Sequence, residues 1–269
     1  MESPFCEGKW AAPDALVREP VNTASSVFMS LSAIIPVFAH ISGKLHIVRT
    51  SMFTCGLGSA MYHATLSPTW KLADEIPMIL ISSFLTMSFA SKFPNPCAKP
   101  WVICVITTYL FTTIFIDSTN LDQSQIGFRT LFMIPFVVIL GINIALFRGL
   151  DTMLQYDQNK KDAMFTCGKA CLVISLLAGS CWLIDSKACN YQWVSYLELH
   201  SLWHLGVSAV SYLLICISAC FSPKNTILWK WHFPIVVSAE TPLLEMEAFS
   251  EPWMYWGHLK TLRWKMRKV

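Results

Sequence analysis

Runs of about 20 apolar residues recur along this chain, and each is long enough to cross the ~30 Å hydrocarbon core of a bilayer as one helix. Inside a bilayer every backbone N–H and C=O must be satisfied within the protein, which leaves helices and closed barrels as the spanning structures. Seven spans are read, at residues 22–41, 47–65, 75–93, 101–117, 128–147, 164–184 and 200–221. Charged residues make up 14% of the 269, well below the roughly 25% of a soluble domain. The expected fold is therefore all-α, a seven-transmembrane helix bundle. Residues 1–221 form one domain, with an N-terminal segment over 1–21 and a Trp-rich tail over 222–269 that is basic at its end. No cleavable leader is expected, because the first 20 residues are polar and mixed in charge.

Lysine and arginine placement sets the orientation. The side holding the N-terminus carries Lys9, Arg18, Lys71, Arg129 and Lys187, five in all; the opposite side carries 14, seven of them in the tail. The N-terminus is thus expected to be lumenal or extracellular and the C-terminus cytosolic. The net charge of +3 is a topology signal and points to no nucleic-acid partner. No protein partner is inferred.

With seven spans, the polar residues at helix ends fall on one face. His63 closes the second span, Asp74 opens the third, Asp185 closes the sixth, and His200 and His204 open the seventh. Ionisable groups at membrane depth are costly and mark function by default. His200/His204 have i, i+4 spacing, as do Ser59/His63, so each pair shares a helical face. Three histidines match the ligand count of a catalytic zinc with one open position. In a membrane protein this points to a zinc hydrolase acting on a lipid. Each residue also has a plainer reading. A lone histidine can be a hydrogen-bonded core residue, and Ser59 can pack helix on helix. Asp74 and Glu75 can be helix N-terminal charges, with Pro77 just inside the start. Asp185 can cap its helix or support a ligand from behind.

Seven of the ten cysteines, Cys55, Cys104, Cys167, Cys171, Cys181, Cys216 and Cys220, lie in spans and read as small apolar residues. Cys6 and Cys189 fall on the lumenal side, where oxidation is permitted.

These residues carry a resemblance. The motifs are G-x-G-S-x-x-x-H-A-T-L-S at Gly56 to Ser67, L-x-D-E at Leu72 to Glu75, W-x-x-D at Trp182 to Asp185, and L-H-x-x-W-H at Leu199 to His204; E-x-x-N-T at Glu19 to Thr23 adds to them. The set resembles the alkaline ceramidases, within a membrane hydrolase superfamily that includes adiponectin receptors and a GPI-remodelling lipid hydrolase. The resemblance implies zinc on His63, His200 and His204, with Ser59 and Asp74 as active-site partners. It implies a Cys6–Cys189 disulfide and hydrolysis of ceramide to sphingosine and a free fatty acid. It also implies calcium at the N-terminus, held by a D-W-C-E-x-N stretch and the glutamate of E-x-x-N. Here the stretch reads P-F-C-E-G-K. Pro4 and Lys9 replace two donors while Glu7 and Glu19 remain, so calcium, which takes six to eight oxygens, is doubtful. Lys9 then either bridges Glu7 and Glu19 with its ammonium or points into water.

The chemistry follows from placement. Asp74 is positioned to take a proton from a zinc-activated water as general base and to pass it to the leaving amine. Ser59 lies one turn before His63 and can donate to the developing oxyanion. Two alternatives stand beside this reading. One is a related hydrolase cutting another lipid, such as a phospholipid. The other is a receptor or scaffold with structural zinc, which would call for a fourth protein ligand. The expected location is a multi-pass protein of the ER or Golgi membrane.

Overall fold

The computed structural model describes residues 5–10, 15–34, 43–90, 158–221, 225–230 and 233–238. The expected spans at 101–117 and 128–147, the end of the first span and the tail beyond 238 lie outside the described residues. So do Pro4, Cys97 and Cys104.

Helix α1 (Cys6–Trp10) is little more than one turn. Helix α2 (Pro20–Ser32) begins with proline at its first position, where the missing N–H costs nothing and the fixed φ suits a helix. Helices α3 (Gly43–Thr65) and α4 (Pro68–Ala90) form a tight antiparallel pair. Then come α5 (Gln158–Lys187), the single turn α6 (Gln192–Ser195) and α7 (Leu199–Ala219). The body is helical, as the apolar runs require. Strands β1 (Asn225–Lys230) and β2 (Phe233–Ser238) follow as an antiparallel hairpin, with Asn225 opposite Ser238 and Lys230 opposite Phe233. The hairpin is docked: Asn225 Nδ2 donates to the Ala219 carbonyl at 2.9 Å, a carbonyl that α7 leaves without a helical donor at its end.

Three segments, Thr69–Phe89, Gln158–Lys187 and Trp193–Ala219, are long and apolar enough to cross a membrane. This is a membrane protein by that measure. Helix α3 has the length, 23 residues, but carries Lys44, His46 and Arg49 near its start.

The α4 boundary corrects one expectation. Asp74 and Glu75 do not open a helix; α4 starts at Pro68, and Pro77 lies inside it. The turn is made earlier. Leu66 adopts the left-handed conformation, φ 54°, with its side chain buried. Asp74 therefore sits on the second turn of α4 and faces α3 instead of the membrane edge.

Two glycines let α3 approach both neighbours. A Cβ on Gly56 would meet Ser30 and the Ser26 carbonyl of α2, the latter at 2.8 Å. A Cβ on Gly58 would meet the Ala73 carbonyl and the Asp74 nitrogen of α4, the nitrogen at 2.8 Å. Two residues apart on a helix means opposite sides, so one glycine admits α2 and the other α4. Pro77 lacks the N–H that would serve the Ala73 carbonyl, and that carbonyl turns to Gly58. Ser59 is thereby held between the two contacts.

The core lies along α3, α4, α5 and α7, with Val48, Met52, Leu85, Phe89, Cys167 and Cys216 among its buried members. Cys55, Cys167, Cys171, Cys216 and Cys220 are free and buried, packing as small apolar side chains. Next to this core an apolar cavity is lined by Met29, Met52, Met78, Leu85, Trp203 and Val210, with Cys55 in its wall.

Candidate metal centre and active site

Cys55, Ser59 and His63 follow one another at four-residue spacing along α3 and share a face. His200 and His204 occupy the first turns of α7. The two helices bring the three histidines together in a buried cluster. Their ligating atoms all lie within 4.8 Å of one another. Ring centroids are 5.0 Å apart for His63–His200, 5.0 Å for His63–His204 and 4.6 Å for His200–His204. This group is positioned to bind a metal ion.

Helix α2 supplies the partners behind it. His63 Nδ1 donates to Glu19 Oε2, a carboxylate with no exposed surface. Asn22 Nδ2 donates to the same oxygen at 3.0 Å. His204 Nδ1 lies 2.8 Å from Ser25 Oγ and 3.2 Å from Ser26 Oγ. Both serine hydroxyls donate to the Asn22 carbonyl, at 2.9 and 2.7 Å, so both have lone pairs left to accept from His204.

These contacts place the proton on Nδ1 of His63 and His204 and leave each Nε2 as a bare lone pair. His63 Nε2 is buried without a hydrogen-bond partner among the described residues. An orphaned buried acceptor costs about 1–3 kcal/mol, which a bound cation would relieve. A carboxylate behind a ligating imidazole is a recurrent device for fixing its tautomer and raising its basicity. The donor set thus fits a metal.

Asp74 enters from α4. Cys55 Sγ lies 3.6 Å from its Oδ1 and donates to its backbone carbonyl at 3.3 Å. Ser59 also hydrogen-bonds the Asp74 carboxylate. The structure therefore unites Ser59, His63, Asp74, His200 and His204, drawn from three helices.

The N-terminal segment packs over this cluster. Cys6 and Cys189 are disulfide-bonded across 183 residues, with Cα atoms 4.9 Å apart. Asp185 Oδ2 accepts the Cys6 N–H at 3.3 Å, so this aspartate anchors the segment. The Phe5 ring stacks on His200 with centroids 3.6 Å apart. Glu7 reaches α2 and accepts the N–H groups of Val21 at 2.7 Å and Asn22 at 2.9 Å, capping its first turn. Burial raises the Glu7 pKa above its ordinary value; the two backbone hydrogen bonds and His63 oppose the rise, and the Glu19 charge adds to it.

The residues expected to keep part of a calcium site are thus committed elsewhere. Glu7 serves backbone N–H groups, and Glu19 serves His63 and Asn22. Among the described residues they form no metal-ligating group with a third His, Cys, Asp or Glu. Lys9 is exposed and makes no ion pair there, which leaves the reading in which it points into water. Glu7 and Glu19 thus already have N–H partners, and Pro4 and Lys9 offer no side-chain oxygen.

Sequence reasoning missed Ser25, Ser26, Cys55 and Phe5, and it did not see Glu19 behind His63. One signal was available. Glu19, Asn22 and Ser26 recur at i, i+3, i+7 in an apolar segment, the spacing of a buried polar stripe.

The ceramidase family model matches residues 2–237, which takes in every residue of the site. The chain belongs to the ceramidase family. It is accordingly a hydrolase of the ceramidase class. The curated alkaline ceramidases it resembles here are distant relatives. A putative alkaline ceramidase of Dictyostelium discoideum is 28% identical, over 67% of this chain and 67% of its own length. The Drosophila melanogaster alkaline ceramidase is 22% identical, over 81% and 76%. The Arabidopsis thaliana alkaline ceramidase is 25% identical, over 77% and 78%.

Proposed function

We infer that the chain hydrolyses the amide of a ceramide-type lipid, releasing sphingosine and a free fatty acid, with zinc held by His63, His200 and His204. The observation that carries this is the buried histidine cluster with His63 Nε2 bare and its Nδ1 occupied by Glu19. Imidazole ligands suit zinc better than calcium or magnesium, and three protein ligands leave a position open. When bound, the ion would supply Lewis-acid charge to the amide carbonyl and make water acidic enough to attack near neutral pH.

The chain's own residues do the rest. Asp74 accepts the proton of the attacking water and returns it to the leaving amine nitrogen. Ser59 donates its hydroxyl to the oxyanion that forms on the carbonyl. Glu19, Ser25 and Ser26 keep two imidazoles in the metal-binding tautomer. The apolar cavity beside Cys55 lies next to Asp74 and is of a character to receive lipid chain. Around this site the reading keeps seven spans over residues 1–221, a lumenal N-terminus on the side of the Cys6–Cys189 bond, a cytosolic tail over 222–269 and an ER or Golgi membrane.

One experiment tests the reading. The purified full chain is assayed for bound metal and incubated with ceramide, dihydroceramide and a phospholipid, with and without a zinc chelator. The expected result is about one zinc per chain and ceramide turnover that stops on chelation and returns with zinc. Chelation-insensitive turnover, or turnover of the phospholipid alone, overturns it.

A further inference from the structure

Ser26 contacts both a metal ligand and the expected oxyanion donor. It is fully buried on α2. Its Oγ lies 2.7 Å from the Asn22 carbonyl, 3.1 Å from Ser59 Oγ and 3.2 Å from His204 Nδ1. Ser25, its neighbour, takes the shorter contact to His204 at 2.8 Å and also donates to the Asn22 carbonyl at 2.9 Å. No contact of Ser25 with Ser59 accompanies these.

A hydroxyl has one proton and two lone pairs. At rest the Ser59 proton goes to the Asp74 carboxylate, so between the two serines Ser26 is the donor. Its proton is shared between Ser59 Oγ and the Asn22 carbonyl, and its lone pairs accept from the His204 N–H. Ser59 thus has a donor behind it, which fixes its rotamer. When Asp74 has taken the proton of the attacking water, the charge developing on the substrate carbonyl becomes the stronger acceptor for the Ser59 proton. Ser26 can then turn its proton fully onto Ser59 Oγ, because Ser25 still satisfies the Asn22 carbonyl. The proton inventory closes in both states without an orphaned donor. Close approach of α2 to α3 at Gly56, where a Cβ would meet the Ser26 carbonyl, holds the two hydroxyls in reach.

We propose that Ser26 is a positioning residue that ties Ser59 to His204, holding the Ser59 hydroxyl ready and supporting it by a second hydrogen bond as the oxyanion forms. The proposal rests on the reading of Ser59 as oxyanion donor.

A double-mutant cycle in the full-length, metal-loaded chain tests it. Ser59→Ala is expected to lower kcat about 10²-fold. Ser26→Ala should lower kcat by about 3- to 10-fold, the weight of one neutral hydrogen bond, with KM changed less than about twofold. In the Ser59→Ala background, Ser26→Ala should cost nothing further. A second readout is metal retention against a chelator without turnover: Ser25→Ala should speed metal loss more than Ser26→Ala, since it removes the shorter bond to His204. Ser26→Gly removes the same hydroxyl without bulk and replaces the alanine variant if that does not fold. Losses that multiply independently, or a normal kcat in Ser26→Ala, overturn the role of Ser26 and leave Ser59 standing. A normal kcat in Ser59→Ala overturns the oxyanion reading, and the proposal with it.

Discussion

Two carboxylates at the site differ in what they touch, and their replacements separate the roles. Glu19 meets an imidazole Nδ1 and an amide nitrogen; Asp74 meets a hydroxyl and a thiol. Asp74→Asn removes a proton acceptor but no metal partner, so turnover should vanish while metal content stays at the wild-type value. Glu19→Gln leaves an acceptor for His63 but removes the charge behind it. Metal affinity should fall about 10- to 100-fold, read by chelator competition, and turnover should largely return at saturating metal. Loss of metal in Asp74→Asn would reverse the two assignments. The ionisable residues were visible in the sequence because a histidine or aspartate at membrane depth needs a reason. Ser25, Ser26 and Cys55 were hidden because such residues pack helices routinely, and which hydroxyl meets which ring depends on how α2 rolls against α3 and α7. Spacing along one helix does not report that roll.

At the scale of elements, the sequence revealed helices more readily than their ends. Apolar length located α3, α4, α5 and α7, and the histidine spacing gave the correct faces. It misplaced the start of α4, because Asp74, Glu75 and Pro77 look like a helix entrance while the reversal is made by Leu66, a residue with no turn preference. Its buried side chain offsets a left-handed cost of roughly 1–2 kcal/mol. The hairpin after α7 was not foreseen, its strands lying in a tail read only for its tryptophans and its charge. Gly58 tests the consequence of the α3–α4 contact. Gly58→Ala should push α4 away at Ala73–Asp74, destabilise the protein by about 1–3 kcal/mol as overpacking does, and lower kcat because Asp74 moves from Ser59. Thermal unfolding in detergent and single-turnover rates check it. An unchanged kcat in a destabilised variant would mean that the contact supports the fold without placing Asp74.

At the scale of the whole molecule, the N-terminal segment is fastened over the histidine cluster by bonds that need no ion. The disulfide joins it to the loop between α5 and α6. Glu7 caps α2 through Val21 and Asn22. The backbone N–H groups of Arg18 and Glu19 donate to the Ala64 and His63 carbonyls, both at 3.1 Å, tying the chain leading into α2 to the end of α3. A calcium ion in this position would neutralise carboxylates and clamp the segment. Here Glu7 and Glu19 already accept from N–H donors, and two positions that the resemblance assigns to calcium carry Pro4 and Lys9. The chain should therefore keep its turnover and unfolding midpoint when free calcium is lowered at constant free zinc. Lys9→Asn, at an exposed position, should change neither. Glu7→Ala should matter instead: it strips two first-turn N–H groups of their acceptor, costing about 0.5–2 kcal/mol as a lost helix cap does, and loosens the segment that carries Phe5 onto His200. If calcium depletion alone stops turnover, Glu7 and Glu19 hold a cation in solution, and the metal-free fastening is wrong. If Glu7→Ala is as stable as the parent, the disulfide and the Arg18 and Glu19 backbone bonds suffice, and the cap is incidental.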